Sequence, residues 1–147
     1  MRFEKRIANN LAEATMARTW LRECLDALST EDSDLIPDIS LVFGELVTNS
    51  VRHAYGEKLC GPIDIALSLS DEWLELSIRD YGRSMDPATY TRPDLTKPNE
   101  GGYGIHLVKK LTDEFRIEVP GGEGNRFVVR RRLAGRVQRT AERSESA

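Results

Sequence analysis

The stretch ELVTNSVRHAY, residues 45 to 55, sets Glu45, Asn49 and His53 four residues apart. On a helix those positions lie along one line, so a carboxylate, an amide and an imidazole share one patch of space. The apolar positions around them, Ile39, Phe43, Leu46, Val47, Val51 and Ala54, are enough to hold such a helix on a core. The polar line must therefore face solvent or a cleft. An amide oxygen is a hard ligand that suits Mg²⁺ together with phosphate oxygens. A carboxylate one turn earlier is placed to take a proton from an attacking hydroxyl or water. For any one of these residues alone, plain solvent exposure is the commoner case.

That chain has 147 residues, 39% of them hydrophobic, which suffices for one domain with a real core. A net charge of -3 with 31% charged residues points to neither nucleic acid nor a membrane surface. Basic residues gather late, at Arg126, Arg130, Arg131, Arg132, Arg136, Arg139 and Arg143, and read as a solvated strand edge and tail. Cys24 and Cys60 are the only cysteines and lack metal-ligand spacing, which favours a reduced setting. No apolar run approaches the roughly 18 residues of a membrane span, and MRFEKRIANN lacks the apolar core of a signal peptide. The expected location is cytoplasmic.

Periodicity then orders the elements. RFEKRIA reads as a first strand, and Asn9 or Asn10 as the N-cap of LAEATMARTWLRECLDAL, whose apolar stripe includes Trp20, Leu21, Cys24 and Leu25. A second helix is expected from about Pro37 to the YGE exit, with Gly56 as its cap. PIDIALSLS and EWLELSIRD alternate around SDE as an antiparallel pair. From Met85 to Gly102 no period survives, and a loop of that length inside a domain is usually functional or mobile. GIHLVKKLTDEF resumes as a helix, FRIEV and RFVVRRRL flank PGGEGN as a hairpin, and residues 134–147 read as a frayed tail after a domain spanning 1–133. Helices and strands thus fall into separate layers: an α/β two-layer sandwich, its sheet mixed but mainly antiparallel and covered by helices on one face.

Two more stretches could carry chemistry. In GGYGIHLVKKL, glycines precede a helix start, where exposed N–H groups and the helix dipole favour anions such as phosphates. In RDYGRSMDP, Asp80 at a strand end can accept a hydrogen bond from an exocyclic amine, Gly82 can admit a flat ring, and Met85 can cover its face. A turn with Asp as a cap is the ordinary alternative for Asp80.

Taken together, ELVTNSVRHAY, DYGRSM and GGYGIHL resemble, in order, the N-box and the two glycine boxes of the GHKL ATP-binding fold. The short length, the E-x-x-x-N-x-x-x-H-A-Y run and LTDEF are most similar to the anti-sigma factor serine kinases of bacterial partner-switching systems. The resemblance covers roughly residues 5 to 133. It implies ATP and Mg²⁺ as cofactors, with Glu45 as general base on a partner's serine, Asn49 holding Mg²⁺, and His53 supporting the site. It implies that Asp80, with Gly82 and Met85, reads adenine. It also implies that the turn Gly102, Tyr103, Gly104, Ile105, His106 and Leu107 receives phosphates, the backbone N–H groups of the last four above all, under a lid from Pro87 to Glu100. Ser84 departs from the usual second glycine of D-x-G-x-G, and Asn125 stands where many relatives carry the threonine of a Gly-Thr pair. The implied partners are a small anti-sigma factor antagonist as substrate, a sigma factor or other regulator, and a second copy of the chain through its first helix. Neither nucleic acid nor a membrane is expected to bind directly. The alternatives are a nucleotide-dependent scaffold without phosphoryl transfer, and a detached ATPase module of a histidine kinase, for which the phospho-accepting helix is not found in this sequence.

Overall fold

The strands that alternate in sequence do so in the computed structural model, which describes residues 1–29, 32–55, 60–84, 102–133 and 138–139, without the side chains of residues 29, 53, 102, 103, 138 and 139. In chain order the elements are β1 (Arg2–Ala8), α1 (Leu11–Asp26), β2 (Leu28–Ser29), α2 (Leu35–Asn49), a π-helical turn (Ser50–Tyr55), β3 (Pro62–Leu69) and β4 (Trp73–Asp80). Then follow α3 (Gly102–Leu111), β5 (Glu114–Glu118), a 3₁₀ turn (Pro120–Gly122), β6 (Asn125–Arg132) and β7 (Gln138–Arg139). Five strands form one sheet in the order β1-β3-β4-β6-β5. Every pair in it is antiparallel, so the mainly antiparallel sheet expected from the hairpin patterns is here wholly so.

One phase of each strand builds the core. Ile63, Ile65, Leu67 and Leu69 of β3, Leu74, Leu76 and Ile78 of β4, and Phe127 and Val129 of β6 are buried together with Leu21 and Leu25 of α1, Leu35, Ile39, Phe43 and Leu46 of α2, and Ile105 and Val108 of α3. The helices cover one face and the other stays open. Leu21 and Cys24, read as a possible dimer stripe, are buried in this core and Trp20 packs against it, so the stripe serves the chain's own sheet. Asn10 caps α1, its Oδ1 accepting from Glu13 N at 2.8 Å. Gln138–Arg139 pair with Leu28–Ser29 as a two-residue ribbon. They are the described part of the expected tail.

Two local departures from the sequence reading matter. Arg131 is not solvated: its side chain is 13% exposed on the helix side, where it donates to Asp38 and, at 2.9 Å, to Asp32. A run of arginines on a strand must alternate faces, and the inward member needs carboxylate partners. Arg131→Ala is expected to lower the unfolding free energy by about 1–3 kcal/mol, against less than about 1 kcal/mol for the exposed Arg2–Glu4 pair, as read by urea denaturation.

The second departure is that α2 does not run to Tyr55 as one α-helix. It widens into a π-turn at Ser50. The wider turn rotates the last residues so that Ala54 and Tyr55 are buried and tied to the end of β4. Ala54 O accepts from Arg83 N at 2.7 Å, and Tyr55 Oη accepts from Tyr81 N at 2.8 Å while donating to Pro62 O at 2.6 Å. Gly56, the expected cap, lies outside the described residues.

Candidate functional site

Asp80 closes the inward phase of β4. The alternation that buries Leu74, Leu76 and Ile78 carries on to the strand's last residue, which puts a carboxylate where a fourth apolar side chain would fit, with no exposed surface. Directly across the ladder sits Asn125, also buried. Its Nδ2 donates to Asp80 Oδ1 at 3.0 Å and to Arg83 O at 2.8 Å. Gly82 N also points at Oδ1, from 3.2 Å. Oδ2 has no hydrogen-bond partner among the described residues. Burial pushes the Asp80 carboxyl above its ordinary range, and the Asn125 bond holds it down in part. The nearby Ser50 hydroxyl also favours the charged form, although it lacks the geometry of a full hydrogen bond.

The end of α2 reaches Asp80 through Ser50, whose hydroxyl lies beside the carboxylate. Asn49 is 4% exposed and Ser50 is fully buried, yet Asn49 Nδ2 and Ser50 Oγ lack hydrogen-bond partners among the described residues. Buried polar atoms are costly to leave unpaired, and Asp80 Oδ2 and Asn49 Nδ2 suit a ligand that pairs with them, Ser50 Oγ already lying beside the Asp80 carboxylate. Glu45 is half-buried and its carboxylate lies against the first turn of α3, where a Cβ on Gly104 would overlap Oε2. The polar line of α2 and the glycine-rich turn thus meet at Glu45 and Gly104. The π-turn, however, ends the regular four-residue spacing after Asn49, so His53 does not continue the line by helical period; its side chain lies outside the described residues.

Helix α3 begins at Gly102, two residues before the expected start. Its free N–H groups therefore belong to the turn around Gly102, Tyr103 and Gly104, while those of His106 and Leu107 lie inside the helix. Ile105 is buried, Leu107 half-buried and the His106 side chain exposed. Met85 and the expected lid, residues 87–100, lie outside the described residues.

Two glycines fix the approach of the strands. A Cβ on Gly82 would strike the Ala54 carbonyl, so this glycine is needed where the π-turn meets β4, whatever ring it admits. Gly124, which the sequence reading did not single out, has φ +63° and presses its backbone on the carbonyl of Asp80. Its signal was the Gly-Asn step opening β6. Gly121 has the same φ but open space around it. Gly121→Ala is thus expected to cost about 1–2 kcal/mol from the left-handed backbone alone, and Gly124→Ala about 2–4 kcal/mol with the clash added, both read from denaturation midpoints.

A surface depression of about 750 Å³ lies elsewhere, on the open sheet face among Arg6, Asp64, Arg79, Arg116 and Glu118. Several of the charges there are paired, as in Arg6–Asp64 and Arg116–Glu118.

Residues 7–131 match the model of the histidine kinase-like ATPase domain. The chain belongs to this family. A solved histidine kinase-like ATPase relative, the blue-light activated histidine kinase of Erythrobacter litoralis EL346, superposes with a TM-score of 0.52 at 27% identity, over 67% of this chain and 30% of that one. Among curated relatives, the serine-protein kinase RsbW of Oceanobacillus iheyensis is 30% identical over 90 residues, 56% of this chain and 57% of the relative. The anti-sigma F factor of Priestia megaterium is 31% identical over 108 residues, 68% of this chain and 71% of that protein. The chain spans between 57% and 71% of these two relatives' length. No helix among the described residues is long and apolar enough to cross a membrane.

Proposed function

We propose that this histidine kinase-like ATPase domain is an ATP-dependent protein-serine kinase that phosphorylates a small anti-sigma factor antagonist and reversibly binds a sigma factor or similar regulator. The observation that carries the nucleotide part is the Asp80 carboxylate, fully buried, held on Oδ1 by Asn125 Nδ2 and Gly82 N and with no hydrogen-bond partner on Oδ2 among the described residues. An exocyclic amine of a purine supplies the donor that Oδ2 lacks. The serine-kinase part draws on the relatives named serine-protein kinase RsbW and anti-sigma F factor.

In this reading the N–H groups at the start of α3 bind the phosphates. Asn49 is nearly buried at the end of α2; its side-chain oxygen would be the hard ligand for Mg²⁺ beside the phosphates, and its Nδ2, without a partner among the described residues, would donate to a ligand oxygen. The bound Mg²⁺ would supply charge neutralisation at the transferring phosphoryl oxygens. Glu45 accepts the proton of the attacking serine as that oxygen bonds to the γ-phosphorus and the bond to the ADP oxygen breaks. The protein works in the cytoplasm.

The test is incubation with Mg-ATP and the small antagonist-like domains encoded in the same genome, followed by intact and fragment mass measurement. Phosphoserine on one such domain is expected. Tight ATP binding with no phosphoserine on any of them would leave a nucleotide-dependent binding protein instead.

A further inference from the structure

Asp80 is aimed by Asn125, and Asn125 is carried by a turn that two side chains outside the pocket grip. Arg79 sits one residue before Asp80, and by strand alternation it points to the open face of the sheet. Its guanidinium donates to Glu123 O at 2.7 Å and stacks on the Tyr81 ring, 4.5 Å from the centroid. Ser84, on the other side of Asp80 in the chain, donates its hydroxyl to Gly124 O at 3.0 Å. Two consecutive carbonyls, 123 and 124, are therefore bound by residues that flank Asp80. Gly124 rests on the Asp80 carbonyl, and the next residue is Asn125, whose amide fixes Oδ1.

We infer that Arg79 and Ser84 are positioning residues that set the selectivity of the site for adenine nucleotides, by locking the 123–125 turn and, through Asn125, the direction of the Asp80 carboxylate. The inference rests on Asp80 being the reader of the purine amine. An acceptor discriminates a donor from another acceptor only when it cannot swing away. A carboxylate free to rotate would turn from a mismatched carbonyl and bind both rings alike, whereas one pinned on Oδ1 presents Oδ2 in one direction only. Neither side chain needs to touch the nucleotide for this to hold.

The experiment compares calorimetric affinities for Mg-ATP and Mg-inosine triphosphate, which carries a carbonyl in place of the amine. The proteins are the parent, Arg79→Met, Arg79→Lys and Ser84→Ala. The preference for ATP is expected to fall roughly three- to tenfold in Arg79→Met and in Ser84→Ala, the range of one positioning hydrogen bond in a binding constant. Arg79→Lys, which keeps a donor, should recover part of it. Melting temperatures should stay within about 3 °C, because both side chains act at the surface. Ser84→Ala removes a single hydroxyl and keeps the test open should Arg79→Met fail to fold. A parent that prefers ATP, with the preference unchanged in the folded variants, overturns the inference alone. A parent that does not prefer ATP overturns the adenine reading beneath it.

Discussion

Glu45→Ala is expected to lower phosphoryl transfer to the partner serine by about 10²–10⁴-fold, the usual effect of removing a general base. ATP affinity should not fall with it. The Glu45 carboxylate lies against the first turn of α3 at Gly104, the end that would hold the phosphates. Removing a negative charge from that end takes away repulsion and no nucleotide contact. Affinity at or slightly above the parent's, with transfer nearly abolished, is therefore the expected signature. Glu45→Gln should behave alike, since it keeps the shape and loses the base. Single-turnover phosphoserine formation and calorimetry on the same preparations separate the two quantities. Transfer at the parental rate would leave Glu45 as a packing residue beside an otherwise intact site.

Asp80→Asn should fail in the opposite way, through affinity. Asn125 Nδ2 and Gly82 N both donate to Oδ1, so the new amide would place its oxygen there and turn its NH₂ to where Oδ2 stood. A donor would then face the purine amine. The loss of a buried hydrogen bond to a charged acceptor, about 1.5–3 kcal/mol, weakens ATP binding by roughly 10- to 100-fold. The free protein should not suffer. Because burial raises the Asp80 pKa above its unfolded value, the folded state binds the proton more readily. The parent's stability is thus highest where this carboxyl is protonated and declines as pH rises through the raised pKa. Asp80→Asn lacks that decline and is expected to melt at or above the parent at pH 7. In the parent, ATP affinity should weaken as pH falls through the same value, since the amine pairs with the ionised form. Parental ATP affinity in Asp80→Asn would remove Asp80 from the site.

Much of this was readable in the sequence because its patterns were local. The alternation of PIDIALSL and WLELSIRD placed two strands with one buried face, and the same alternation extended by one step puts Asp80 inside. The spacing of Glu45 and Asn49 placed both along one line of α2, where Glu45 meets Gly104 and Asn49 is buried. What could not be read depends on contacts between distant segments. The π-turn at Ser50 follows from the fit of Ala54 and Tyr55 against the β4 exit, about 26 residues on, and no local propensity marks it. Arg131 reads as one of three consecutive arginines until Asp32 and Asp38 fold beneath it. Asn125 read in sequence as a residue that can donate and accept where many relatives carry a threonine. In the fold it stands behind Asp80 as the group that aims it, a role that exists only once β4 and β6 are in register.

The most direct measurement uses the unaltered protein with two nucleotides. If the orphaned Oδ2 of Asp80 reads the purine amine, Mg-ATP should bind at least about tenfold tighter than Mg-inosine triphosphate by calorimetry, because the carbonyl that replaces the amine meets a fixed acceptor. Equal affinities for the two nucleotides would contradict it.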